Sequence, residues 1–409
     1  MYRASDLPAP EVLLAQLFEG LTKCRDLVGA SGGTLGLHAN DESESSASFD
    51  MQDAVRCNRV LQSISQRHGI VVPDFVWRGP GRRTSLDIAL SKVVGLTTAD
   101  WTCLAGALEN PGFDDMLGAL KLPLPGRRNT IKLAHLPVFD VWTQGQHNEE
   151  AFFIVPPAGV PAALFRPWID ELGKKNYVVL LENPALFGNF REVDIRYTDL
   201  DTEVELIRAA VEALSLKRVH FIGICGGAPV AIAASAVSET NAVSLLICHG
   251  DLYFGPETPR TAFQQQFQGF LSEAAMSLAA ANQVRTLFLD PAMLFGVPEN
   301  LAPFILYPYA NVELFHRYAR SNFARMAYDA TQAAACITCN TLIVTSLTDR
   351  MTHPEASRML HKRVAGSLFK QKETGSHHDA LLPTQEMLST IQALTSGDIA
   401  TLRADQGAT

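Results

Sequence analysis

Gly223-Ile224-Cys225-Gly226-Gly227 is the pattern with most chemical content in this 409-residue chain. An apolar run, VHFIGI (219–224), leads into it, and a stretch of small residues, GGAPVAIAASAVSE, follows. A strand that turns directly into a helix presents the cysteine at the tip of a tight, strained turn. Side chains two positions to either side of the thiol would collide, so Gly223 and Gly227 have to be small. The backbone N–H of Gly226 then points to where an oxyanion develops, and the helix start beside Cys225 favours the thiolate. The bland alternative is a glycine-rich turn around a buried cysteine. The strand before it and the helix after it favour a nucleophile.

A nucleophilic thiol needs a base and a group that orients the base. Asp349 follows the apolar run NTLIVTS (340–346) and precedes Pro354, a position that suits the acid. Gly375-Ser376-His377-His378-Asp379 lies further on, in a Gly/Ser loop that suits the histidine. His377, directly after Gly-Ser, is favoured, and His378 stays the alternative. A second oxyanion donor is expected in Pro156-Pro157-Ala158-Gly159, after the apolar run FFIVPP. Proline carries no N–H, so Ala158 is the first candidate and Gly159 the next.

The elements that must position these groups start near residue 150. Strand-like runs at 152–157, 177–184, 219–224, 242–250 and 340–346 alternate with helical patterns at 161–176 and 199–216. Such alternation predicts βαβ units and a mainly parallel sheet, with the active site at the carboxyl ends of the strands. About 90 residues without strand character separate the last two runs. They are rich in Phe and Tyr, which reads as a lid over a pocket, the alternative being rings that pack the helices together. The division expected is a mainly helical region at 1–145, a core in two parts (146–250 and 336–409), and a helical lid at 251–335.

Composition sets outer limits. Hydrophobic residues at 47% and charged residues at 19% suit a globular chain with a large core. A net charge of −9 argues against a nucleic-acid partner. No apolar run approaches a membrane span, and the N-terminus lacks the apolar stretch of a signal peptide, so a cytoplasmic location is expected. The seven cysteines have scattered spacings that fit no disulfide framework. Cys336 and Cys339 form a lone Cys-x-x-Cys with no second pair, and no metal or bound cofactor is expected.

A cysteine in this position changes the energetics. Its acyl-enzyme is a thioester, so exchange with a thioester donor and a thiol acceptor runs at nearly constant free energy. With water excluded, that suits transfer between thiols better than hydrolysis. The elbow GICGGAP, the segment SLTDR and the loop GSHHD, behind an extra N-terminal region, resemble the SyrC/CmaE-type aminoacyltransferases of nonribosomal peptide biosynthesis. The resemblance implies an α/β-hydrolase fold with a helical lid, and Cys225, Asp349 and His377 in the catalytic positions. It also implies donor and acceptor carrier (thiolation) domains as partners, their phosphopantetheine arms as the chemical handles, and a threonyl or 4-chlorothreonyl cargo. Arg78, Arg82, Arg83, Arg127 and Arg128 could form a basic docking patch for acidic carriers, though scattered solvated charges explain them as well. The competing readings are a thioesterase or dienelactone-hydrolase-like cysteine hydrolase, and a non-catalytic carrier-binding scaffold.

Overall fold

Six consecutive residues, Val219 to Ile224, are all buried, so the strand they form has to lie inside a sheet covered on both faces. The structure, a computed structural model, describes residues 8–40, 49–77, 83–122, 124 and 126–396. It divides into two units, Met1–Pro123 with Asn282–Phe315, and Leu124–Ala281 with His316–Thr409.

The first unit holds helices α1 (Pro10–Lys23), α2 (Arg25–Ala30), α3 (Met51–His68), α4 (Ser85–Val94), α5 (Thr98–Ala107) and α6 (Phe113–Ala119). A short parallel pair, β1 (Gly36–Leu37) and β2 (Asp74–Phe75), accompanies them. Capping boxes start α3, α4 and α5, from Asp50 to Asp53, Thr84 to Asp87 and Thr97 to Asp100. Leu13, Leu17, Cys57, Val60, Leu90 and Trp101 make up part of the core. Segment 282–315 alters the expectation of a lid. Phe288 stacks on Tyr309 at 4.5 Å and lies 5.7 Å from Phe315, and all three rings are buried. Arg285 donates to the carbonyls of Tyr309 and Ala310. Here the rings pack one another inside a core.

The second unit carries the sheet. Its chain order is β3 (Arg127–Ile131), β4 (Phe139–Gln144), β5 (Glu150–Val155), α7 (Arg166–Gly173), β6 (Tyr177–Leu181), α8 (Leu200–Ala213), β7 (Arg218–Ile224), α9 (Ala228–Ser235) and β8 (Ala242–Cys248). After β8 come α10 (Ala262–Met276), α11 (Leu278–Phe288), whose residues from Asn282 onward belong to the first unit, α12 (Ala302–Ile305), also of the first unit, α13 (Val312–Ala327), which belongs to the second unit from His316, and α14 (Thr331–Cys336). The chain returns with β9 (Asn340–Ser346), α15 (Pro354–Arg363), β10 (Leu368–Lys372) and α16 (Gln385–Ser396). The strand order is β10-β9-β8-β7-β5-β6-β4-β3, parallel except that β4 runs against β6 and β3 against β4.

The expected boundary at 145 therefore cuts the sheet, because β3 and β4 precede it and belong to the second unit. The division falls between Pro123 and Leu124. Of β3, RRNTI, only Ile131 is buried, as suits an edge strand, and so its sequence lacks an apolar run. The other edge, β10, reads LFKQK for the same reason. Arg83 falls in the first unit and Arg127 and Arg128 in the second. Arg78 and Arg82 lie outside the described residues. No described helix is long and apolar enough to cross a membrane.

Candidate active site

Cys225 sits directly after β7 with φ +51°, a left-handed conformation that costs a non-glycine residue about 1–3 kcal/mol. One hydrogen bond and two close approaches at glycine hold the turn in that shape. The N–H of Asp251 donates to the carbonyl of Cys225 at 3.1 Å. A Cβ on Gly223 would come within 2.7 Å of the Ala231 Cβ, and one on Gly227 within 2.1 Å of the Val155 carbonyl oxygen. The elbow glycines are therefore required by the packing of β7 against α9 and of the elbow against the end of β5. Residues 225–227 form a 3-10 turn that runs into α9, leaving Cys225 partly accessible and Gly226 buried.

Asp349 lies in the turn after β9, and its side chain is fully buried. Its Oδ2 accepts from Nδ1–H of His377 at 2.8 Å, from Nδ1–H of His249 at 2.7 Å and from the Thr352 hydroxyl at 2.9 Å. Its Oδ1 accepts from the N–H groups of Met351 (2.8 Å) and Thr352 (3.0 Å). Burial alone would raise the carboxyl, but the hydrogen bonds from the two imidazoles outweigh it and hold Asp349 well below the usual carboxylate range.

His377 opens the 3-10 turn His377–Leu381 that follows β10, and is 6% exposed. Burial by itself would lower its imidazole. The Cys225 sulfur, together with Asp349, overrides that and raises it well above its ordinary value. Nε2 is buried and has no hydrogen-bond partner among the described residues, which leaves it available to the neighbouring thiol. Thus His377, and not His378, joins Asp349. The loops that carry the two are stitched together by Thr348. Its hydroxyl accepts from the N–H of Gly375 at 2.9 Å and approaches the Gly375 carbonyl at 3.0 Å. Gly375 has φ +154°.

The segment after β5 makes a tight turn in which the N–H of Val160 donates to the Pro157 carbonyl, with Gly159 at φ +66°. Ala158 is buried within it. Gly226 and Ala158, the two expected oxyanion donors, thus stand on neighbouring strand ends, since β5 pairs with β7.

The other thiols stand apart. All seven cysteines are free. Burial pushes Cys57 and Cys248 up to about 12, and Cys24 higher still, so they stay protonated. Cys336 is exposed and Cys339 half-buried. His249, Asp349 and His377 offer three potential ligand atoms within 4.8 Å of one another, but both imidazoles already donate to the one carboxylate.

Cysteine, histidine and acid therefore follow β7, β10 and β9 of a mainly parallel eight-stranded sheet, in the chain order nucleophile, acid, histidine. A membrane phospholipase A described as a bacterial virulence factor superposes with a TM-score of 0.52 at 14% identity, over 66% of this chain and 86% of that one. The fold is that of the α/β-hydrolases. Two further solved structures give lower scores. One is a hydrolase from Pseudomonas aeruginosa PA01 (TM-score 0.49, 14% identity, 66% of this chain and 97% of that one). The other is an α/β-hydrolase fold protein from Nakamurella multipartita (0.46, 17%, 66% and 100%). No family model matches the chain, and no curated protein matches it.

Several residues of this candidate site have no signal in the sequence. His249 donates to Asp349 but stands in no motif. Its approach to Asp349 depends on φ +49° directly after β8, a turn no local pattern announces. Arg325 and Glu203 are 122 positions apart and meet through the fold alone. Asn322 of α13 lies against the elbow, its Oδ1 3.3 Å from where a Gly226 Cβ would stand. Its position in α13 gives it no motif.

Proposed function

We propose that this chain is a cysteine acyltransferase that moves an aminoacyl group between phosphopantetheinyl thiols of two carrier domains. The observation that carries the proposal is the thiol of Cys225 on the elbow, with His377 behind it and Asp349 behind His377. The Cys225 thiolate attacks the carbonyl of the donor thioester and a C–S bond forms. The developing oxyanion meets the N–H groups of Gly226 and Ala158. The bond to the donor's pantetheine sulfur breaks, and that thiolate takes the proton from the His377 imidazolium. The acceptor's thiol then gives its proton to His377 and attacks the enzyme thioester, and Cys225 leaves as thiolate. Each step exchanges one thioester for another, so no oxidant, metal or cofactor is needed. The SyrC/CmaE resemblance supplies the carrier domains as partners and threonyl or 4-chlorothreonyl as cargo.

The test is transfer itself. A carrier loaded with a labelled aminoacyl group is incubated with the enzyme and a second, empty carrier. Label on the second carrier is the expected result. Rapid release of free amino acid, with none on the second carrier, would mean a thioesterase instead.

A further inference from the structure

Glu203 of α8 and Arg325 of α13 form an ion pair whose side chains are 3% and 7% exposed. The geometry is a two-pronged fork. Nε of Arg325 donates to Oε2 at 2.9 Å and Nη2 to Oε1 at 2.8 Å. Glu203 also accepts from the Asn183 amide at 2.6 Å and the Ser321 hydroxyl at 3.3 Å, so its carboxylate is held from several sides. Burying such a pair cancels much of its Coulomb gain, which makes stability a weak reason for its presence.

What remains of the guanidinium points at the oxyanion-donor segments. Nη1 donates to the carbonyl of Pro156 at 3.0 Å and to that of Gly226 at 3.2 Å. Pro156 begins the segment of Ala158, and Gly226 is the elbow donor itself. The two segments touch, since a Cβ on Gly227 would lie 2.7 Å from the Pro156 carbonyl oxygen. Two carbonyl dipoles aimed at one point repel each other, and a cation between them turns that repulsion into attraction. Within a helical turn the N–H and C=O of one residue point opposite ways along the axis. Fixing the Gly226 carbonyl at the back of the turn therefore aims its N–H to the thiol side.

We propose that Arg325, oriented by Glu203, is a positioning residue that locks the two oxyanion-donor segments to each other. The proposal rests on Cys225 being the nucleophile, and holds whether the acyl group passes to a thiol or to water.

Two reactions of Cys225 separate this role from general support. Acylation by an aminoacyl-pantetheine thioester develops an oxyanion, whereas alkylation by iodoacetamide does not. Both are measured on the wild type, on Arg325→Lys and on the double variant Glu203→Gln/Arg325→Met, alongside thermal unfolding. The double variant leaves no unpaired buried charge and keeps the test open if the single variant fails to fold. The expected result is acylation slowed about ten- to hundredfold at saturating thioester, with an unchanged KM and alkylation within about twofold of wild type. Acylation within about twofold of wild type in a folded variant, or acylation and alkylation falling together, would overturn the proposal. A wild type that alkylates at Cys225 but never acylates there would overturn the nucleophile reading, and this proposal with it.

Discussion

Asp349 Oδ2 is shared by two imidazoles, His377 at 2.8 Å and His249 at 2.7 Å, whose rings stand edge to face 5.8 Å apart. His377 carries the line from the carboxylate to the thiol, while His249 holds the carboxylate from the other side. Loss of the carboxylate, which breaks the line to His377, and loss of the His249 bond should therefore differ in effect. Asp349→Ala is expected to slow acylation by about 10³- to 10⁴-fold, because His377 loses its fixed tautomer and its counter-charge. His249→Phe keeps a ring and removes one hydrogen bond, and is expected to cost about ten- to hundredfold through misplacement of Asp349. Single-turnover acylation rates decide it. Equal losses would show that the His249 hydrogen bond weighs as much as the carboxylate itself, contrary to this reading.

The depressed Asp349 carboxyl makes stability depend on pH with a definite sign. The folded value lies below the ordinary 3.8, so the unfolded chain takes up the proton first as the solution is acidified. The contribution is fully present above about pH 4 and is lost as pH falls through the folded value. Urea unfolding of wild type and Asp349→Asn at pH 5.5 and pH 3 measures it. The stability gap between them is expected to shrink at the lower pH, and a gap that widens there would contradict this origin.

The elbow glycines should not be equally replaceable. A Cβ at 227 meets backbone oxygen at 2.1 Å, which cannot yield without breaking the contact between the elbow and the end of β5. A Cβ at 226 meets only the Asn322 side chain, at 3.3 Å. Gly227→Ala is expected to abolish folding or lower activity at least about a hundredfold, while Gly226→Ala loses about tenfold or less. Soluble yield and acylation rate check both, and the reverse ranking would contradict the close approach seen here.

Cysteine reactivity should follow environment more than exposure. With limiting iodoacetamide at pH 7, Cys225 is expected to react before the exposed Cys336, since Cys225 lies at a helix start beside the His377 imidazole. Cys24, Cys57 and Cys248 should stay unmodified until the chain unfolds. Peptide mass spectrometry reads the order. Modification of Cys336 ahead of Cys225 would contradict the pairing of Cys225 with His377.

What could be read from the sequence was what depends on local pattern. The buried parallel strands are continuous apolar runs, and the elbow needs glycines at fixed offsets, so Cys225 and the strand ends around it were visible. The Gly375-Ser376 loop favours the residue that follows it, His377, and that side chain lies on the Asp349 carboxylate. What could not be read depends on distant contacts or half-buried surfaces. The edge strands β3 and β10 have too few buried side chains to declare themselves. The rings of 282–315 carry no mark of what they pack against, so a lid and a core look alike. His249 and Arg325 matter through the atoms they reach, and neither stands in a motif.

The central claim is that the acyl group rests on Cys225 between donor and acceptor. The intact mass of the enzyme after brief incubation with an aminoacyl-loaded carrier tests it most directly. A gain equal to one aminoacyl group is expected, absent in Cys225→Ala and removed on adding an empty second carrier. An unchanged mass while transfer proceeds, or the same gain in Cys225→Ala, would contradict it.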